Sequence, residues 1–114
     1  MKKVKISIVF LFLITLISCD SRTYDEISGD SENPTYTKNI KPIFDSKCSA
    51  CHFSGNPDGL SSFSNYAETR QGVEFGDVLY YVDTLGTMPK NSTKLPNETI
   101  QLLYNWKEDG YPEN

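Results

Sequence analysis

The residues with the most chemical promise lie together in Cys48-Ser49-Ala50-Cys51-His52. Two thiols with two residues between them fall on one helical turn, where they can add to the two vinyl groups of a single porphyrin and form thioethers. The next residue, His52, is then carried beneath the ring, and one imidazole nitrogen can serve as the proximal ligand to iron. Its other ring N–H needs an acceptor, and a backbone carbonyl would both supply one and fix the tautomer. A bare Cys-x-x-Cys is compatible with a redox dithiol or half a zinc site. The adjacent histidine turns it into a signature for one covalently bound haem c.

Whether those thiols have other partners depends on what is processed at the N-terminus. Lys2, Lys3 and Lys5 precede an apolar run from Ile6 to Ile17, which is the pattern of a secretory leader and is too short to span a bilayer as a helix. The run closes on Leu16-Ile17-Ser18-Cys19, which resembles the lipobox of bacterial lipoproteins. Residues 1–18 are therefore expected to be a lipoprotein signal peptide, and Cys19 the acylated N-terminus that anchors the chain to the membrane through lipid.

The remaining inventory limits the alternatives. The 114 residues hold three cysteines, two methionines and one histidine. A tetrahedral zinc ion takes four ligands, and Cys48, Cys51 and His52 leave it one short once Cys19 is lipidated. A thioredoxin-like dithiol sits in a βαβ unit, and no strand pattern surrounds this one. A Cys48–Cys51 disulfide would close too small a loop to stabilise much. After processing, Met88 is the sole methionine. It lies in Gly86-Thr87-Met88-Pro89-Lys90, where Pro89 biases it away from helix and onto a loop. Met88 is the candidate distal iron ligand; the competing reading is a core residue filling an irregular gap.

Charge narrows the partners. The chain has 11 Lys and Arg against 15 Asp and Glu, and three of the basic residues leave with the leader. So acidic a product disfavours nucleic acid and is not held to an anionic membrane surface by charge. The expected partners are redox proteins, with the membrane reached only through the N-terminal lipid. The expected location is the cell envelope, on the inner or outer membrane, facing the periplasm or the surface.

The elements that must position the ligands follow from spacing. Residues 19–34 are polar and acidic and read as a flexible tether. Residues 35–112 form one domain, near the size at which a hydrophobic core needs reinforcement. Ile40, Phe44 and Cys48 recur at i, i+4 from an N-cap expected at Thr37, with Pro42 in the first turn. A short helix is expected from Asn65 to Gln71, stopped by Gly72. Val78, Leu79 and Val82 mark another. Residues 85–95 read as a loop, and a last helix from Pro96 or Asn97 carries Ile100, Leu103 and Trp106 on one face and ends at Gly110. No segment alternates as a strand. The fold class expected is all-α.

Thr37-Lys38-Asn39-Ile40-Lys41-Pro42-Ile43-Phe44 leads into the Cys-x-x-Cys-His motif and is followed by Gly59-Leu60, Tyr66, Thr87-Met88-Pro89 and a segment ending in Trp106. This order resembles the small single-haem class I c-type cytochromes, including bacterial cytochrome-c-like lipoproteins. The resemblance implies a cytochrome c fold, three to five short helices wrapped around one covalently bound haem, with the first and last helices packed together. It also implies His52 and Met88 as the proximal and distal ligands. Phe44, Leu60, Leu85, Leu95, Ile100 and Leu103 are candidate wall residues, though each is as readily explained as ordinary core, and Tyr80, Tyr81 and Tyr104 fit a core boundary.

Three functional classes meet these features. The first is a non-enzymatic electron carrier, or an electron-transfer subunit of a redox complex. The second is a haem-based ligand-binding or sensor module with a weak or displaceable sixth ligand. The third, a peroxidase-like enzyme, needs polar distal groups, and the chain has no second histidine to offer.

Overall fold

The computed structural model describes residues 32–114, in which four helical segments are joined by turns and no strand occurs. Cys19, the expected leader and most of the expected tether lie outside the described residues.

The first helix, α1, begins two residues earlier than the apolar spacing predicts. It opens as a wide π turn over Tyr36–Ile40 and continues as a regular α-helix over Lys41–Lys47. The cap is Thr35, not Thr37: the Thr35 side chain accepts from Lys38 N at 3.4 Å. The wide turn arises because the Thr35 carbonyl is shared between Asn39 N at 2.9 Å and Ile40 N at 3.2 Å. Pro42 explains its position. A proline lacks an N–H and crowds the carbonyl four residues back, and widening the backbone ahead of it leaves Pro42 in the first turn of the regular part.

The second helix, α2, spans Tyr66–Phe75, with Asn65 accepting from Glu68 N as its cap. The expected stop at Gly72 does not occur. Gly72 is buried within the helix, and a Cβ there would come 2.5 Å from Cε1 of Phe63. The glycine thus serves close packing rather than termination, and the helix ends one turn later at Gly76.

A further π turn, α3, covers Tyr80–Thr84 and buries Val82. Residues 85–96 form the expected loop, across whose base Lys94 Nζ donates to Asp83 Oδ1 at 3.0 Å. The last helix, α4, runs over Asn97–Glu108 and buries Ile100, Leu102, Leu103 and Trp106. Gly110 follows at φ +79°, the left-handed conformation that terminates helices with least cost in glycine.

The core lies where α4 packs against the start of α1 and against α2. Ile40 and Trp106 are fully buried, and Phe44 and Leu103 nearly so. Tyr36, Tyr66 and Tyr111 surround Trp106 with ring centroids 5.0–6.3 Å away. The indole N–H is satisfied by Pro112 O at 2.9 Å, as a buried tryptophan requires. The C-terminal segment closes on α1, with Tyr36 N donating to Pro112 O and Thr37 N to Glu113 O.

Candidate haem-attachment site

The site is built at the C-terminal end of α1. Cys48 N donates to Phe44 O at 2.9 Å as the helix closes. The chain then turns so that Cys51 N and His52 N both donate to Cys48 O, at 3.1 and 2.9 Å. One carbonyl therefore gathers all three residues into a single turn. Asn56 Nδ2 donates to Cys51 O at 2.7 Å and Asn56 Oδ1 accepts from Asp58 N at 2.7 Å, so the following loop folds back and braces the turn. Both cysteines are free thiols; Cys51 is exposed and Cys48 half-buried. Burial pushes the Cys48 thiol up to about 11, away from the lowered values that activate dithiol oxidoreductases.

His52 is oriented by a second segment. Its Nδ1 lies 2.8 Å from the Ser61 carbonyl oxygen, which fixes Nδ1 as the protonated nitrogen and leaves the Nε2 lone pair for a metal. Phe63 N donates to His52 O at 3.1 Å, and the Phe63 ring stacks on the imidazole at 4.7 Å and 26°. His52 is thus restrained at its ring nitrogen, its ring face and its backbone.

Met88 comes from a different part of the chain. Thr87 N and Met88 N both donate to Tyr81 O, at 3.0 and 3.3 Å, which ties the methionine loop to α3. Met88 is half-buried and packs against the same hydrophobic core as Cys48. Asp83 braces the loop from below, accepting from Lys94 and, at 3.1 Å, from the Tyr104 hydroxyl on α4.

The wall residues divide. Phe44, Leu95, Ile100 and Leu103 belong to the core, whereas Leu60 and Leu85 are 42% and 48% exposed. Phe53, Tyr80 and Tyr81 are exposed with them. Phe53 adjoins His52, Leu60 adjoins Ser61, Leu85 is in the methionine loop, and the Tyr81 carbonyl anchors Met88. Exposed apolar side chains thus occur on both segments that carry ligand candidates. The donor set fits haem c: two free thiols, one histidine with a fixed tautomer, and one thioether. Among the described residues no three His, Cys, Asp or Glu side chains form a metal-holding group.

A separate cleft of about 350 Å³ opens between residues 61–63 and α2, lined by Glu68, Gln71, Gly72 and Phe75. It contains none of Cys48, Cys51, His52 or Met88.

Ser61, Phe63 and Glu68 were not legible as site residues. Ser61 acts through its carbonyl, which leaves no mark on residue type. The Asn65-x-x-Glu68 spacing does signal a helix start, though not its connection to His52. No family model matches the chain, and no curated protein or solved structure matches it.

Proposed function

We propose that this chain is a lipid-anchored, single-haem c-type cytochrome that transfers one electron at a time between protein partners in the cell envelope. The observation that carries the reading is the Cys48–His52 turn, in which two free thiols and a histidine held at Nδ1 by a backbone carbonyl stand side by side. The helical architecture, with its first and last helices in contact, is compatible with a cytochrome c fold wrapped around one haem.

Bound there, haem c supplies a ferric/ferrous couple whose potential depends on axial ligands, hydrogen bonding and burial. Cys48 and Cys51 would hold the porphyrin through thioethers. His52 would present Nε2 to the iron, with the Ser61 carbonyl holding the ring in place through Nδ1–H. Met88 would supply the distal sulfur, held by the Tyr81 carbonyl and the Asp83–Lys94 brace. Phe53, Leu60 and Leu85 would exclude water from the ring. Cys19 would carry the lipid. This division of roles describes an electron-transfer protein rather than an enzyme.

Mass spectrometry of denatured protein, matured with the cytochrome c assembly machinery, tests the reading. The expected result is one haem that survives denaturation. A haem-free chain with a plain dithiol, or with stoichiometric zinc, overturns it.

A further inference from the structure

The segment 61–64 touches His52 on one side and is gripped on the other by a single carboxylate. Glu68 Oε2 accepts from Ser62 Oγ at 2.7 Å and from Ser64 N at 2.9 Å. Glu68 N in turn donates to Asn65 Oδ1 at 3.0 Å. Thr69 Oγ1 adds a longer bond to Phe63 O at 3.4 Å. Capping α2 accounts for the Asn65 and Ser64 contacts, since both satisfy or frame the first turn. It does not account for the Ser62 hydroxyl, which lies outside the helix and next to the residue whose carbonyl holds the imidazole.

We propose that Glu68 is a positioning residue for His52, setting the Ser61 carbonyl against Nδ1 through its grip on Ser62 and Ser64 and thereby tuning the iron's potential. The inference rests on the haem reading above. A well-placed carbonyl on Nδ1–H makes the imidazole a stronger donor and favours ferric iron. When the grip is lost, the segment gains freedom, the Nδ1–H bond lengthens on average, and the balance shifts toward ferrous iron.

The test compares wild type with Glu68→Ala, Glu68→Gln, Ser62→Ala and Glu74→Ala in the full haem-loaded chain. The readouts are midpoint potential and solvent exchange of the His52 ring proton in NMR spectra of the ferric protein. Glu68→Ala should shift the ferric/ferrous balance toward ferrous about threefold, close to 30 mV at 59 mV per decade for a one-electron couple, and speed ring-proton exchange. Ser62→Ala should shift both less, in the same direction. Glu68→Gln keeps an acceptor oxygen and should recover most of the wild-type values. Glu74→Ala removes a carboxylate from the same helix that accepts from Arg70 Nε at 3.0 Å, and should change neither readout.

Unchanged potential and exchange in both Glu68→Ala and Ser62→Ala, with haem still attached, overturns the positioning role and leaves the cytochrome reading intact. A wild-type chain that carries no covalent haem removes the reading and this inference together. Should Glu68→Ala not fold, Ser62→Ala against Glu74→Ala decides the question, because it deletes one hydroxyl and leaves the α2 cap in place.

Discussion

The imidazole of His52 stacks on the ring of Phe63, with centroids 4.7 Å apart and planes 26° from parallel. Phe63 also meets Phe44 edge-on at 5.2 Å, and its Cε1 edge lies against Gly72. One ring therefore links the candidate iron ligand, the core of α1 and the packing of α2.

That arrangement predicts a steric effect at a position remote from any ligand. Gly72→Ala places a methyl group 2.5 Å from Cε1 of Phe63, so the ring or the helix must shift, and overpacking of this kind costs about 1–3 kcal/mol. Urea unfolding should show the loss, and Phe63→Leu in the Gly72→Ala background should recover part of it. An unchanged midpoint in Gly72→Ala would mean that the ring is free to move.

Asp83 supplies a pH test. Hydrogen bonds from Lys94 and then from Tyr104 hold its carboxyl below the ordinary aspartate value. A lowered folded-state pKa contributes stability that is fully present above the unfolded value, about 3.9, and is lost as pH falls through the folded one. The stability difference between wild type and Asp83→Asn should be flat from pH 5 to 7 and shrink below pH 4. Urea titrations across that range measure it, and a difference that grows on acidification would contradict the brace.

Met88→Ala should leave haem attached through Cys48, Cys51 and His52, while lowering the potential, opening the iron to carbon monoxide and removing the far-red band of methionine-to-ferric-iron coordination. Absorption spectroscopy and voltammetry read all of these changes. If the variant matches wild type in every one, Met88 is not an iron ligand, and a ligand-binding or sensor role displaces electron transfer.

The proposed lipid anchor is tested separately. Metabolic labelling with a fatty acid should mark the wild-type chain and not Cys19→Ala. Unlabelled wild type recovered free of membranes would show that Ser18-Cys19 is not a lipidation boundary.

The candidate attachment turn was legible because it is local. Cys48, Cys51 and His52 need only adjacency to act together, and their spacing survives in the folded turn. The α4 boundaries were also readable, since Pro96 and Gly110 restrict the backbone by residue type alone. What escaped depends on distant partners. Gly72 reads as a stop until Phe63 is seen against it, and the start of α1 moves to Tyr36 because Thr35 shares its carbonyl around Pro42. Leu60 and Leu85 were candidate wall residues by apolarity, a criterion that does not separate core from exposed apolar surface. The Glu68 grip on Ser62 depends on how the loop before α2 is folded, and side-chain type alone does not reveal it.

The closure of residues 112–114 on the first turn of α1 matters for how the protein could be held on an electrode. Thr37 donates both its amide and its hydroxyl to the Glu113 carbonyl, so a linker added after Asn114 would leave the domain beside Tyr36. The Cys51–His52 turn lies at the opposite end of α1, and twelve helical residues at about 1.5 Å each put roughly 18 Å between the two ends. Immobilisation through a C-terminal linker would therefore turn the cysteine end outward toward solution-borne partners, whereas a linker placed in the loop at Pro57 would turn that end toward the metal surface. On the proposed cytochrome reading, comparing current in the two orientations would measure which pole of the domain exchanges electrons.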